Sequence, residues 1–462
     1  MLVVATGYLL LLPTFLSRLN PLTGDEPFYV MTAISMVRDH DLDESNNYEN
    51  RDYDEFYPPD PLPVGWRGWP GFPRDLPPHP AVSERDGLYT KHGLGLSILI
   101  ALPYTLGGRV GADLLVMLCG TLLAGQMYLL GRASGADGRL AAAIAAGLAL
   151  TLPIAPYALL LFPEVPAALL LLFAVRRLAE PDNTPLQYVL TGAAVGFLPW
   201  LHQRFAPTAA VLVVIALVRW KRWVATKAVL ASLALMALGG ASLIAYNLWL
   251  YGQPLQNTRD HAGFNRFGGT VNGLFGLVID AQWGLFIAAP VFLLALAATP
   301  WWLQRARRLA LITAAAVTPY IVLVAAYKVW WGEWGPPARY LVPIVPFAAG
   351  PLAAWLSRVH PAWRILAAGV WAIGAALSLI GYRNPQRFYH HPDGVNNLVS
   401  RLDELLHVNV AQRLIVFQPY AVSPRNEREA AAYLVLALLI LAYLVVRVLP
   451  QLRTGRKSLT SD

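Results

Sequence analysis

Two carboxylates stand side by side early in the chain, Asp25 and Glu26, within Leu22–Val37, LTGDEPFYVMTAISMV. A third, Glu164, sits in LFPEVP. A carboxylate in a substrate's reach can take the proton of a hydroxyl group. Cationic side chains accompany them: Lys91, Arg204, Arg259 and Arg339. Such groups neutralise a phosphate, and arginine does so with two parallel hydrogen bonds. Tyr89, His92, His202, Trp331 and Glu333 could line the space between. A base beside a phosphate cradle suits transfer from a phosphorylated donor to a hydroxyl acceptor. No Walker loop, dinucleotide glycine fingerprint or HExxH is present, so a soluble nucleotide donor has no motif to hold it.

Each of these residues also has an ordinary structural reading. Asp25 can cap the helix that Pro27 opens, with Glu26 favoured by the helix dipole. Glu164, between Pro163 and Pro166, can be a first-turn dipole residue. Lys91 and Arg204 can snorkel to an interface, and Arg339 can be a partner of Glu333. Trp330, Trp331 and Trp334 suit an interfacial belt as well as a sugar-stacking platform. The adjacent His390 and His391 point in different directions, so the metal ligands, if there are any, are unknown. A divalent cation on Glu26 or Glu164 is the one cofactor left open.

The elements that must position these groups follow from composition. The chain has 462 residues, 56% of them hydrophobic and 14% charged, against about 25% charged in soluble domains. Apolar runs recur along its length, the mark of spanning helices. The expected fold is an all-α polytopic membrane bundle of about 12 spans. They fall at residues 1–17, 110–130, 139–157, 164–178, 187–202, 205–218, 228–250, 284–303, 309–327, 339–357, 364–382 and 430–449. Residues 1–450 form a single domain and 451–462 a cytoplasmic tail. The loop 19–109 carries 14 of the chain's 28 acidic residues. Amphipathic surface helices are expected there at Pro27–Arg38 and His92–Leu106. Between them, 56–80 holds nine prolines and should be irregular. The single Cys119 excludes an internal disulfide. The first apolar segment lacks the basic start of a cleavable signal.

Basic residues set the orientation. Seventeen lie in loops on one side, from Arg132 to Lys457, against five in the short loops opposite. Positive loops stay in the cytoplasm. Both termini are then cytoplasmic, and the loops 19–109 and 383–429 are outside, with every candidate site residue. Arg18 alone disagrees. The net charge of +8 is thereby topological and implies no nucleic acid.

GDEPFY after the first span resembles the first-loop acidic motif of the GT-C membrane glycosyltransferases. The similarity is to the protein O-mannosyltransferase and aminoarabinose-transferase branch. TKHGLGLSILIALPY resembles that group's lysine-containing motif, and LFPEVPAALLLLF its second acidic motif. NLWLYGQP, GLFGLVIDAQWGLFIAAPVFLLAL and WWGEWGPPARYLVPIVPF are similar to stretches in bacterial members. Thr90 replaces a glutamate that part of the group has before the lysine. The resemblance implies an inverting glycosyltransferase of a bacterial-type plasma (inner) membrane, active on its outer face. A sugar would move from a polyprenyl-phosphate donor to a hydroxyl of a lipid, glycan or protein. Asp25, Glu26 and Glu164 would be catalytic, and Lys91, Arg204 and Arg339 would hold the donor phosphate. The rival reading is a transporter or flippase of lipid-linked sugars. Transporters place charges at the midplane of repeated halves; here the charges lie at one edge and no repeat is seen.

Overall fold

A computed structural model describes residues 1–57, 75–220, 226–255, 270–391 and 393–417, with single positions 439, 442 and 446. Among these residues the chain is helical, with one isolated bridge between Pro80 and Thr90. Five helices are long and apolar enough to cross a membrane: Leu94–Ala133, Gln203–Trp220, Lys227–Tyr251, Arg307–Ala326 and Pro361–Arg383. Shorter helices, among them Leu2–Arg18, Gly138–Ala149, Glu164–Ala179 and Pro185–Leu201, complete the bundle. The expected span at 430–449, the tail at 451–462 and residues 58–74 of the proline-rich stretch lie outside the described residues, apart from those single positions.

Proline explains where the helices depart from expectation. It lacks an N–H and clashes with the preceding turn, so it starts helices and breaks their interiors. The stretch 284–303 was expected as one helix. It is instead Leu285–Ala288, Val291–Ala297 and Thr299–Arg305, with Pro290 and Pro300 at the joints. The stretch 339–357 opens as two 3₁₀ turns, Arg339–Leu341 and Val345–Ala348, before the helix Ala349–Leu356. Pro343 and Pro346 fall in that region. The helix Thr270–Ile279 was not expected at all.

The first surface helix runs Glu26–Arg38 and is buried along most of its length. It rests on the start of Leu94–Ala133, where Ser97 Oγ donates to the Tyr29 carbonyl at 2.9 Å. The expected break between a surface helix and a span lies inside that 40-residue helix. Gly107 and Gly108 leave helical geometry there.

Close packing comes from small residues. A Cβ on Gly192 would lie 2.3 Å from the Ser232 carbonyl oxygen, and one on Gly239 as close to that of Gly196. Pro185–Leu201 and Lys227–Tyr251 therefore touch backbone to backbone. Spanning helices use this contact because lipid supplies no hydrophobic drive to press them together. At the centre lies Glu164–Ala179, with 11 of its 16 residues buried. That helix carries a carboxylate at one end and two arginines, Arg176 and Arg177, at the other.

Candidate functional site

The site is built where the turn before Glu26–Arg38 meets the loop 330–340. Gly24 has φ +64°, and a Cβ there would lie 2.7 Å from the Trp334 carbonyl oxygen. Only glycine lets these two loops press together. Trp334 Nε1 donates to Thr23 Oγ1 at 2.7 Å and pins the contact. Asp25 follows at the N-cap position, yet makes no capping bond. Its Oδ2 pairs with Arg339 Nη2 instead.

Arg339 opens the turn Arg339–Leu341, and Ala338 before it has φ +60°. A left-handed conformation costs a non-glycine residue about 1–2 kcal/mol. The Ala338 N–H, donating to the Trp283 carbonyl at 3.1 Å, helps hold it. Each of the three nitrogens of the Arg339 guanidinium then donates one hydrogen bond. Its Nε donates to Glu164 Oε1 at 2.9 Å and its Nη1 to the Gly332 carbonyl at 3.2 Å. It also lies over the Phe162 ring at 4.5 Å. Glu164 Oε1 accepts a second guanidinium bond, from Arg204 Nη2 at 2.7 Å. Arg204 sits over Tyr340 at 4.7 Å.

The result is a line of alternating charge, Asp25–Arg339–Glu164–Arg204, drawn from four separate segments. Exposure distinguishes its members. The side chains of Glu164, Arg339 and Arg204 are 0%, 7% and 8% exposed, and that of Asp25 is 26% exposed. Asp25 is the end a substrate can reach. Burial alone would raise its carboxyl, but the Arg339 guanidinium outweighs burial and holds it below the usual carboxylate range. Asp25 is therefore ionised at neutral pH.

Glu26 faces elsewhere. Its side chain is sealed, its Oε1 accepts from the Leu161 N–H at 2.9 Å, and its Oε2 is buried without a hydrogen-bond partner. Its charged neighbours are Arg109 and Asp113, which pair with each other at 3.5 Å. Burial pushes its carboxyl up to about 7, with Arg109 and the Leu161 N–H opposing. A carboxyl raised on folding binds its proton more tightly in the native state. Its stabilising effect is complete below the ordinary carboxyl value and is lost as pH rises toward 7. Glu26→Gln keeps the Leu161 bond and cannot ionise. Its melting temperature should fall less than that of wild type between pH 4.5 and 7. Parallel curves would show that Glu26 does not titrate in this range.

The other expected residues divide. His92 belongs to the cluster's rim: it stacks on Phe28 at 5.3 Å, and burial drives its imidazole down to about 3, so it is neutral. Lys91 is near enough for its charge to act on both Asp25 and Glu333. His202 Nδ1 accepts from the Arg204 N–H at 3.1 Å. Glu333 is exposed beside the cluster, but Arg339 binds Asp25 and Glu164. Tyr89 stands apart, edge-on to Trp249. Trp331 is buried against Trp330. Arg259 lies outside the described residues.

His390 is buried, its Nδ1 accepting from the Asn397 N–H at 3.3 Å. Among the described residues no three His, Cys, Asp or Glu side chains come together as a metal site. Sequence reasoning passed over Arg109 and Asp113. Their i, i+4 spacing at the start of a span was the signal available.

The sequence matches no protein-family model and no curated protein. Its fold has solved counterparts. ArnT from Cupriavidus metallidurans in the apo state matches with a TM-score of 0.50 at 17% identity, over 97% of this chain and 74% of that one. The same protein bound to undecaprenyl phosphate matches with a TM-score of 0.48 at 18% identity, over 97% and 73%. An oligosaccharyltransferase from Archaeoglobus fulgidus gives a TM-score of 0.41 at 14% identity, over 83% and 54%. The likeness to apo ArnT is one of fold.

Proposed function

We propose that the chain is an inverting GT-C glycosyltransferase that moves a sugar from a polyprenyl-phosphate donor to a hydroxyl acceptor at the outer membrane face. The observation that carries this reading is the line Asp25–Arg339–Glu164–Arg204, open at Asp25. It places a carboxylate and a guanidinium in contact at the edge of an apolar bundle. The shared fold with ArnT supports the same class.

In this reading the acceptor oxygen attacks the anomeric carbon while the bond from that carbon to the phosphate oxygen breaks. The acceptor's proton passes to Asp25, and the phosphate leaves with the bonding electrons toward Arg339. One base on the face opposite the leaving group is sufficient for inversion; retention would need a carboxylate that attacks the sugar. Asp25 paired to Arg339 is a weak base. A donor phosphate that draws Arg339 to itself weakens that pairing and raises the basicity of Asp25 once donor is bound. Glu164 holds Arg339, Arg204 holds Glu164, and neither Glu164 nor Arg204 touches substrate. Glu26 positions the helix behind Asp25, and Lys91 adds positive charge at the mouth.

Purified protein in detergent, given a polyprenyl-phosphate sugar and a mixture of envelope glycolipid, glycan and protein acceptors, should yield a product of inverted configuration. Transfer from a soluble nucleotide sugar alone would overturn the donor class. Movement of intact lipid-linked sugar across vesicles, without transfer, would favour the transporter.

The outer location rests on the basic loops. Asn50 is exposed in the first loop. With Cys119 replaced by alanine, Asn50→Cys should react with a membrane-impermeant maleimide in intact cells. Labelling only after lysis would turn the protein over.

A further inference from the structure

At the end of the bundle opposite Asp25, a cavity of about 310 Å³ is lined by Arg176, Glu180, Arg307 and Arg308. This falls at the lower end of the range of small-ligand pockets, roughly 300–1,000 Å³. Arg176 lies twelve residues along the helix that begins at Glu164, so roughly 18 Å separates the cavity from the line of charge.

Three features of this cavity are unusual together. Arg307 and Arg308 are the first two residues of Arg307–Ala326, whose N-cap, Ala306, makes no side-chain capping bond and whose first turn has no acidic residue. A helix N-terminus is the positive end of the dipole and favours anions, so two arginines there reverse the usual preference. Arg176 is 6% exposed; its Nη1 donates to Gln126 Oε1 at 2.5 Å, and its Nε–H is buried without an acceptor. The one carboxylate in the lining, Glu180, pairs with Arg177 at 3.5 Å. The guanidiniums of Arg176 and Arg308 and an uncapped helix end therefore face one engaged carboxylate, with Arg307 beside them in the lining. Basic residues on this side are expected from membrane topology. Topology alone requires neither a buried guanidinium with an open donor nor a cavity beside it.

We infer that this cavity binds a phosphate group, through Arg176, Arg307, Arg308 and the backbone N–H groups that open the helix. Phosphate matches the site in charge and in acceptor number. Two sources share that chemistry, an anionic phospholipid headgroup and free inorganic phosphate. The inference is independent of the transferase reading and places no substrate here.

The test is native mass spectrometry and thermal unfolding of the full chain in a neutral detergent. The probes are phosphatidylglycerol, phosphatidylcholine and inorganic phosphate. Retained phosphatidylglycerol beyond the phosphatidylcholine background, reduced about tenfold by Arg308→Gln, would identify a lipid site. Stabilisation by inorganic phosphate alone, lost in the same variant, would identify a free-phosphate site. The control is the double variant Arg139→Gln with Arg364→Gln, at exposed basic positions outside the cavity lining. It should bind as wild type does. An equal loss in the control would reduce the effect to a diffuse basic surface and overturn the site, as would no binding beyond background. Arg176→Gln tests the buried donor. If it fails to fold, Arg308→Gln, at an exposed side chain, still decides.

Discussion

Asp25→Asn is expected to cut turnover by roughly 10²–10⁴, the usual contribution of a general base, while donor binding stays within a few-fold of wild type. Asparagine keeps the shape and can still accept from Arg339, so the contact seen at Asp25 Oδ2 survives in weakened form. What is lost is the ability to take a proton. Single-turnover kinetics with saturating donor separate this from a binding defect. The pH profile adds a second signature. Arg339 holds Asp25 ionised in the free protein. The acid limb of kcat/KM should therefore lie below the usual carboxylate range. If donor phosphate competes for Arg339, the acid limb of kcat should lie higher. Near-normal turnover in Asp25→Asn, or a product of retained configuration, would remove Asp25 from this role.

Glu164→Gln should act mainly on the fold. Glu164 Oε1 accepts from both Arg204 and Arg339, and the side chain is fully buried. Removing the charge leaves two guanidiniums in the interior with only Asp25 opposing them. Breaking a buried ion pair from one side costs about 3–5 kcal/mol, because the remaining charge is uncompensated. Glu164→Gln should lower the thermal midpoint clearly and reduce activity in proportion to folded protein. Glu164→Asp should recover part of both. An unshifted midpoint with turnover reduced more than a hundredfold would instead put Glu164 in the chemistry.

The comparison of these two carboxylates shows how far residue type carries. From the sequence, Asp25, Glu26 and Glu164 are all candidates for a catalytic role, Asp25 as the base and Glu26 or Glu164 to orient the acceptor or carry a cation. In the structure one is partly open, one is sealed against the Leu161 N–H, and one clamps two arginines. Asp25 and Glu26 are neighbours in sequence, yet their nearest charges differ: Arg339 for the first, Arg109 and Asp113 for the second. A turn entering a helix sends successive side chains in different directions. Which direction meets a guanidinium depends on segments more than 80 residues away.

The sequence by itself determined the helical class and the apolar stretches, because hydrophobic runs and their polar breaks are local properties. It also determined the grouping of charged candidates at the loop ends, since a charge inside an apolar run is costly. Helix bounds such as Lys227–Tyr251 and Pro361–Arg383 follow closely from composition. Where prolines cluster, as in 284–303 and 339–357, residue types marked a disturbance without stating its form. Tertiary structure alone decided that Arg339 binds Asp25 and Glu164 rather than Glu333. It alone set Trp331 into the interior and Tyr89 against Trp249. Ion pairs and ring contacts reach only a few ångströms, so they depend on how distant loops are brought together. That registry is set by close approaches such as Gly24 on Trp334, which no local pattern records.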